Sequence, residues 1–338
     1  MNQAVDILTI DDFSSDQEVR WCPGCGDYAV LKTIQKLMPE LKRPRESQVF
    51  VSGIGCSSRF PYYMETYGFH TIHGRAPSVA TGVKLANPEL DVWVITGDGD
   101  ALSIGGNHTM HALRRNVDLN ILLFNNEIYG LTKGQYSPTS KVGTHSPSTP
   151  DGSIDRPLSP CAIAFGAGAA FVARSIDTEM KHLSAVVKQA HAHEGASFVE
   201  ILQNCPIYND GIFEQVKNKK IAPDFRVEAE HGQPLLFGKD KNKGIRLNAE
   251  TLSLEVVNLS DNAELDDILV HDQASLAQAQ LLAAMQGPDF PVAIGILYFN
   301  PVTAYVADVS DQKLKLRESR GQGDLGKLLL SGHTWEVK

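Results

Sequence analysis

The stretch RWCPGCGDY at residues 20–28 sets Cys22 and Cys25 in a turn built from one proline and two glycines. Thiols at this spacing can form a redox couple, supply half of a zinc knuckle, or contribute to a larger centre. The other three cysteines, Cys56, Cys161 and Cys205, stand singly, so the second knuckle of a zinc ribbon is missing. A thioredoxin-like pair would follow a strand of a βαβ unit, which RWCPGCGDY does not. A second set of polar residues lies in ITGDGD (95–100) and in Asn125–Asn126. Leu102 occupies the place of the next glycine of a dinucleotide fingerprint, which argues against a nicotinamide site. What remains is Asp98 at the end of one strand-like run and an amide pair at the end of the next. Such an oxygen-only set suits Mg²⁺ held against phosphates. The glycines let backbone N–H groups approach those phosphates at the start of a helix.

These residues need a scaffold that brings strand ends together. Apolar runs at 48–54, 91–97, 119–125, 170–175 and 197–203 read as strands. Helical patterns at 27–38, 75–86, 105–115, 158–166 and 177–193 lie between them. Unbroken valine- and isoleucine-rich runs suit a parallel sheet covered on both faces, giving a doubly wound α/β architecture. Five prolines make residues 135–160 a long loop, of the kind that is functional or mobile. After residue 225 a polar stretch, a helix over 263–285 and a strand at 292–299 are expected. The chain thus divides into a domain at 1–225 and a smaller C-terminal extension at 226–338.

Acidic residues outnumber basic ones, 40 to 31, for a formal charge of -9, which argues against a nucleic-acid partner. The basic runs VKNKK (216–220) and GKDKNKGIR (238–246) mix in glycine and polar residues and read as solvated loops. The N-terminal residues lack a signal-peptide pattern, and no apolar run is long enough to span a bilayer. A cytoplasmic, reducing location is therefore expected, with the cysteines as thiols or metal ligands.

The motifs WCPGCG, GIGCSSR, HTIHGRAPSVATG, GDGDALSIGGNH, NNEIYGLTKGQ, FVARS and NCP together resemble the β subunit of 2-oxoacid:ferredoxin oxidoreductases, most like the 2-oxoglutarate type. The resemblance covers about residues 18–245. It implies thiamine diphosphate bound through Mg²⁺, with the Asp98 and Asn126 side chains and the Ile128 carbonyl as ligands. Gly55, Ser57, Gly97, Gly99, Asp100 and Asn107 are the implied cofactor neighbours. Cys22, Cys25, Cys56 and Cys205 match the family's pattern for a [4Fe–4S] cluster. Cys161 matches no motif and reads as a small buried hydrophobe. The implied activity is coenzyme A-dependent oxidative decarboxylation of a 2-oxoacid, with electrons leaving to ferredoxin.

The same resemblance sets His73 and Arg75 beside the cofactor or the substrate carboxylate, with anchoring of a turn as their alternative. His108 and His111 lack a third metal ligand and read as structural. Lys133 could pair with a distal carboxylate and favour 2-oxoglutarate over pyruvate. The residues after 225 are too few for a second α/β module, so a partner α subunit is expected to supply the pyrimidine-binding half and coenzyme A contacts, in an (αβ)2 assembly. Two other readings stand beside this one. One is a non-oxidative thiamine-dependent decarboxylase subunit whose cysteines hold zinc or nothing, and the other is a non-catalytic cysteine–metal scaffold.

Overall fold

A computed structural model describes residues 8–259, 263–285 and 287–337. In chain order the elements are α1 (Asp27–Leu37), β1 (Gln48–Ser52), β2 (Tyr67–His70), α2 (Ala76–Ala86), β3 (Asp91–Gly97), α3 (Asp98–Leu102) and α4 (Gly106–Arg114). Next come β4 (Asn120–Asn125), β5 (Ile128–Tyr129), β6 (Gln135–Tyr136), α5 (Pro160–Gly166), β7 (Phe171–Ile176), α6 (Met180–Ala192) and β8 (Ser197–Leu202). The remainder holds α7 (Glu214–Lys217), β9 (Arg226–Ala229), β10 (Leu236–Phe237), β11 (Lys243–Asn248), β12 (Ser253–Asn258), α8 (Leu276–Ala284), β13 (Val292–Phe299), α9 (Tyr305–Arg320) and α10 (Leu325–Leu329).

Eight strands form one sheet in the order β2-β1-β3-β4-β8-β7-β13-β9. Only the β13–β7 pairing is antiparallel. Side chains alternate between the two faces, as the pleat requires. Val49, Val51, Val92, Val94, Ile121 and Leu123 pack into one core layer. Phe50, Trp93, Ile95, Leu122 and Phe124 pack into the other. This two-sided burial is why the strand runs carry so few polar residues.

Parallel pairing aligns the carboxyl ends along one edge. Ser52 stands opposite Ile95, Gly97 opposite Phe124, and Asn125 opposite Leu202. The turns after β1, β3, β4 and β8 therefore emerge side by side, where ligands of α/β sheets bind.

The boundary expected at residue 225 does not coincide with a break in the sheet. β13 pairs with β7 and β9, so the C-terminal region continues the main sheet, and β10, β11 and β12 form a separate three-stranded antiparallel sheet. The helix expected over 263–285 is confined to α8, capped by Ser275 accepting from Gln278 N–H at 3.3 Å. Upstream, buried His271 bonds the Ile296 carbonyl at 2.8 Å, and Val270 bridges Pro234, so tertiary pairing holds this stretch extended. β2 and β9 were not legible as strands, being short and partly polar. No helix among the described residues is long and apolar enough to cross a membrane.

Candidate functional site

A cavity of about 140 Å³ opens at the carboxyl edge between the turns after β1, β3 and β4. Its wall includes Gly97, Asp98 and Gly99 from one turn, Asn126 and Ile128 from the next, and Gly55, Cys56 and Ser57 from a third. Gly99 is there by necessity, since an added Cβ would lie 2.1 Å from the Tyr129 ring, whose hydroxyl donates to the Gly99 carbonyl at 3.3 Å. Gly55 has φ +132°, a left-handed conformation that side chains avoid. The backbone of the GDG turn is thereby kept clear of side chains where it lines the cavity.

Asp98 is 2% exposed. Its Oδ2 accepts from Ser137 Oγ at 2.5 Å and Thr139 Oγ1 at 2.6 Å. Burial raises the carboxyl's pKa, and these hydroxyls oppose that shift. Asn126 Oδ1 accepts from Ile128 N–H at 3.2 Å, closing a small turn, with Glu127 between them at φ +53°. A non-glycine residue in that region is strained and persists only where its surroundings enforce it. Asp98, Asn126 and Ile128 thus line one cavity. A carboxylate, an amide oxygen that accepts from Ile128 N–H and a carbonyl that accepts from Gly130 N–H at 3.1 Å each keep a further lone pair, a donor set that would fit a divalent cation and the diphosphate it would carry.

The sulfurs of Cys56 and Cys205 come together beside this cavity, and the Cys22–Cys25 turn is tied to the same region. The Cys22–Cys25 turn closes through Cys25 N–H to the Cys22 carbonyl at 3.0 Å. Gly26 N–H then donates to the Asn204 carbonyl at 3.2 Å, tying the turn to the segment that carries Cys205. Trp21 Nε1 donates to the Cys56 carbonyl at 2.7 Å. A Cβ at Gly130 would lie 3.6 Å from the Sγ atoms of both Cys56 and Cys205. Gln203 Nε2 donates to Cys25 Sγ at 3.3 Å, the kind of N–H···S contact that tunes a sulfur centre. Burial, then the Asp27 charge, pushes the Cys56 thiol up to about 12, and the same two causes raise Cys25. No three His, Cys, Asp or Glu side chains among the described residues close on a site for a single ion.

Other expected residues are not gathered in the same way. His73 lines the cavity, but Arg75 does not: it stands at the start of α2 and pairs with His108 of α4. Burial, then Arg75, lowers the His108 pKa. Asp100 is on the wall, yet its Oδ1 accepts from Ile54 and Gly74 N–H at 3.1 and 2.7 Å, and its Oδ2 from Thr96 at 2.8 Å. It braces the surrounding turns rather than presenting a free oxygen. Asn107 is exposed on α4 and outside the lining. Lys133 is exposed, with φ +76°, one residue beyond the lining residue Thr132.

The sequence did not single out Asp27, which is 1% exposed, lines the cavity, and among the described residues leaves Oδ1 without a partner. Burial pushes its pKa up to about 7. Its only signal was an acid directly after CPGCG. Ser137 and Thr139 lay hidden in the long proline-rich loop. Cys161 is buried as expected, but its Sγ also donates to Glu200 Oε2 at 3.1 Å, and that carboxylate pairs with buried Arg174 at 2.7 Å.

Comparison with known proteins agrees with this arrangement. Residues 53–201 match the family described as thiamine pyrophosphate enzyme, C-terminal TPP binding domain. A 2-oxoglutarate oxidoreductase subunit KorB of Mycobacterium tuberculosis is 58% identical over 261 residues, 77% of this chain and 69% of the relative. A 2-oxoacid:ferredoxin oxidoreductase subunit beta of Saccharolobus solfataricus is 45% identical over 203 residues, 60% of this chain and 67% of the relative. A chain of 2-oxoglutarate:ferredoxin oxidoreductase from Magnetococcus marinus, solved with 2-oxoglutarate, coenzyme A and succinyl-CoA bound, superposes with a TM-score of 0.76 at 31% identity, covering 97% of each chain. With the GDG turn, the NN turn and the scattered cysteines all facing one edge of a mostly parallel sheet, the chain belongs to the β subunits of the 2-oxoacid:ferredoxin oxidoreductases.

Proposed function

We propose that this chain is the β subunit of an enzyme that converts 2-oxoglutarate and coenzyme A to succinyl-CoA and CO₂, passing electrons through a [4Fe–4S] cluster to ferredoxin, reversibly in principle. One observation carries the reading: Cys56 lines the same cavity as Asp98, Asn126 and Ile128, so a cluster ligand and the diphosphate cradle would share a wall. The names of the relatives support 2-oxoglutarate as the substrate.

Asp98, Asn126 and the Ile128 carbonyl would hold Mg²⁺, and the backbone of Gly97 and Gly99, with Gly55 and Ser57, would face the diphosphate. Thiamine diphosphate, when bound, supplies the electron sink for the charge left as CO₂ departs. Ile54, Ile104 and Leu131 line the cavity and would exclude water from it. His73, on the same wall, would orient the substrate through a ring N–H, while Arg75 would hold the turn that carries it. Cys22, Cys25, Cys56 and Cys205 would each bind one iron of the cluster. Thiolates bound to separate irons surround a centre rather than meeting at a point, which is compatible with how these sulfurs are gathered. The α subunit would complete the site with its pyrimidine-binding module and coenzyme A contacts.

Anaerobic co-purification with the α subunit should yield a brown complex containing iron and acid-labile sulfide in equal amounts and bound thiamine diphosphate. Cys205→Ser should lose iron and retain the thiamine cofactor. A colourless, iron-free complex that still binds thiamine diphosphate would favour a non-oxidative decarboxylase subunit. Failure to bind thiamine diphosphate with Mg²⁺ would favour a cysteine–metal scaffold.

A further inference from the structure

The turn Ser137–Ser140 lies within the loop expected from its prolines alone, yet Ser137, Thr139 and Ser140 are 2, 4 and 3% exposed. Buried hydroxyls need partners, and here the partners belong to both arms of the cation site. Ser137 Oγ and Thr139 Oγ1 reach Asp98 Oδ2 at 2.5 and 2.6 Å. Thr139 Oγ1 also lies 3.0 Å from Asn125 Oδ1, and with a single proton it bonds the nearer, charged acceptor. Ser140 Oγ donates to the carbonyl of Glu127 at 2.5 Å, the residue between Asn126 and Ile128. The turn is held in shape by Ser137 N–H to Ser140 Oγ at 2.7 Å and Ser140 N–H to the Ser137 carbonyl at 3.1 Å. Among the described residues no side chain donates to Asp98 Oδ1; besides the two hydroxyls on Oδ2, the carboxylate is met only by the backbone N–H groups of Asp98 and Gly99 at the start of α3.

We propose that Ser137 and Thr139 are positioning residues for the metal carboxylate: they occupy one oxygen of Asp98 so that the other is presented to the cation, while Ser140 fixes the opposite arm through the Glu127 carbonyl. The proposal rests on the reading that Asp98 is a ligand of the divalent cation. A carboxylate free to rotate would lose orientational freedom on binding, and one already held by two hydroxyls does not. Charge-assisted hydrogen bonds are the strong ones, so each hydroxyl contributes measurably to that restraint.

The test is Mn²⁺ affinity, read from the electron paramagnetic resonance signal of free Mn²⁺ in the complex with its α subunit at saturating thiamine diphosphate. Thr139→Val, of the same shape without the hydroxyl, and Ser137→Ala should each weaken Mn²⁺ binding by about tenfold, while Thr139→Ser should stay within about twofold of the parent. Iron content of the same samples monitors folding and should not change. The inference is overturned if Thr139→Val and Ser137→Ala bind Mn²⁺ like the parent, or if Thr139→Ser is as weak as Thr139→Val. Asp98→Ala separates the two claims. Loss of Mn²⁺ binding in Asp98→Ala alone leaves the metal reading standing and removes only the positioning role, whereas parental affinity in Asp98→Ala removes both.

Discussion

Lys133 is exposed, in a left-handed conformation, and one residue past the cavity wall. An ammonium there stands free of any carboxylate of its own chain among the described residues, so it remains available to a substrate tail. Lys133→Ala in the assembled complex should lower kcat/KM for 2-oxoglutarate relative to pyruvate by about tenfold or more, the equivalent of roughly 1.4 kcal/mol. An unchanged ratio would remove Lys133 from substrate selection. Asp100 and Arg75 show the opposite outcome at this scale. Their charges were legible as site candidates, but one braces two turns and the other pairs with His108, because neighbours supplied by distant segments claimed them first.

Among the elements, the junction of α6 with β7 and β13 contains a titratable group inside the core. His193 caps the end of α6, stacks on Phe171 and meets Phe299 edge-on, with ring centroids 5.7 and 5.6 Å away. Its Nε2 has no partner among the described residues, and burial lowers its pKa from 6.5 against the raising pull of Asp118 and Glu194. Above pH 6.5 the folded and unfolded chains both hold it neutral. Below that value the unfolded chain takes up a proton that the folded chain refuses, so the stability it contributes is lost as pH falls toward the folded pKa. His193→Gln should therefore show a smaller drop in Tm between about pH 7.5 and 5.5 than the parent. An equal drop would place the acid sensitivity elsewhere, with His182, also lowered by burial, the next group to replace.

At the scale of the whole molecule, the sheet carries the part that matches the C-terminal TPP binding domain, and the described residues provide no second α/β module. Purified alone, this polypeptide should decarboxylate no 2-oxoacid, and sustained turnover without a partner would refute the division of labour proposed above. The C-terminal arm points the same way. It leaves the body where Tyr305 N–H meets the Asn116 carbonyl, ahead of β4 and so at the edge opposite the cavity. Beyond Val306 it buries almost nothing, and Leu325, Leu328, Leu329 and Trp335 are 70, 68, 71 and 83% exposed, a surface that association normally covers. The class of fold was legible in the chain because unbroken apolar strand runs alternating with helical patterns are a local signature, whereas the cysteine set and the roles given to the GDG–NN pair were read from motifs that resemble a family. Strands β9 and β13 joining the main sheet, the shortened α8, and the hydroxyls of Ser137 and Thr139 on Asp98 were not. Each depends on which distant segment meets which, and no local preference encodes that; only the folded sheet, by aligning its carboxyl ends, brought Cys56 onto the cavity wall beside Asp98 and the proline-rich loop's hydroxyls onto the Asp98 carboxylate.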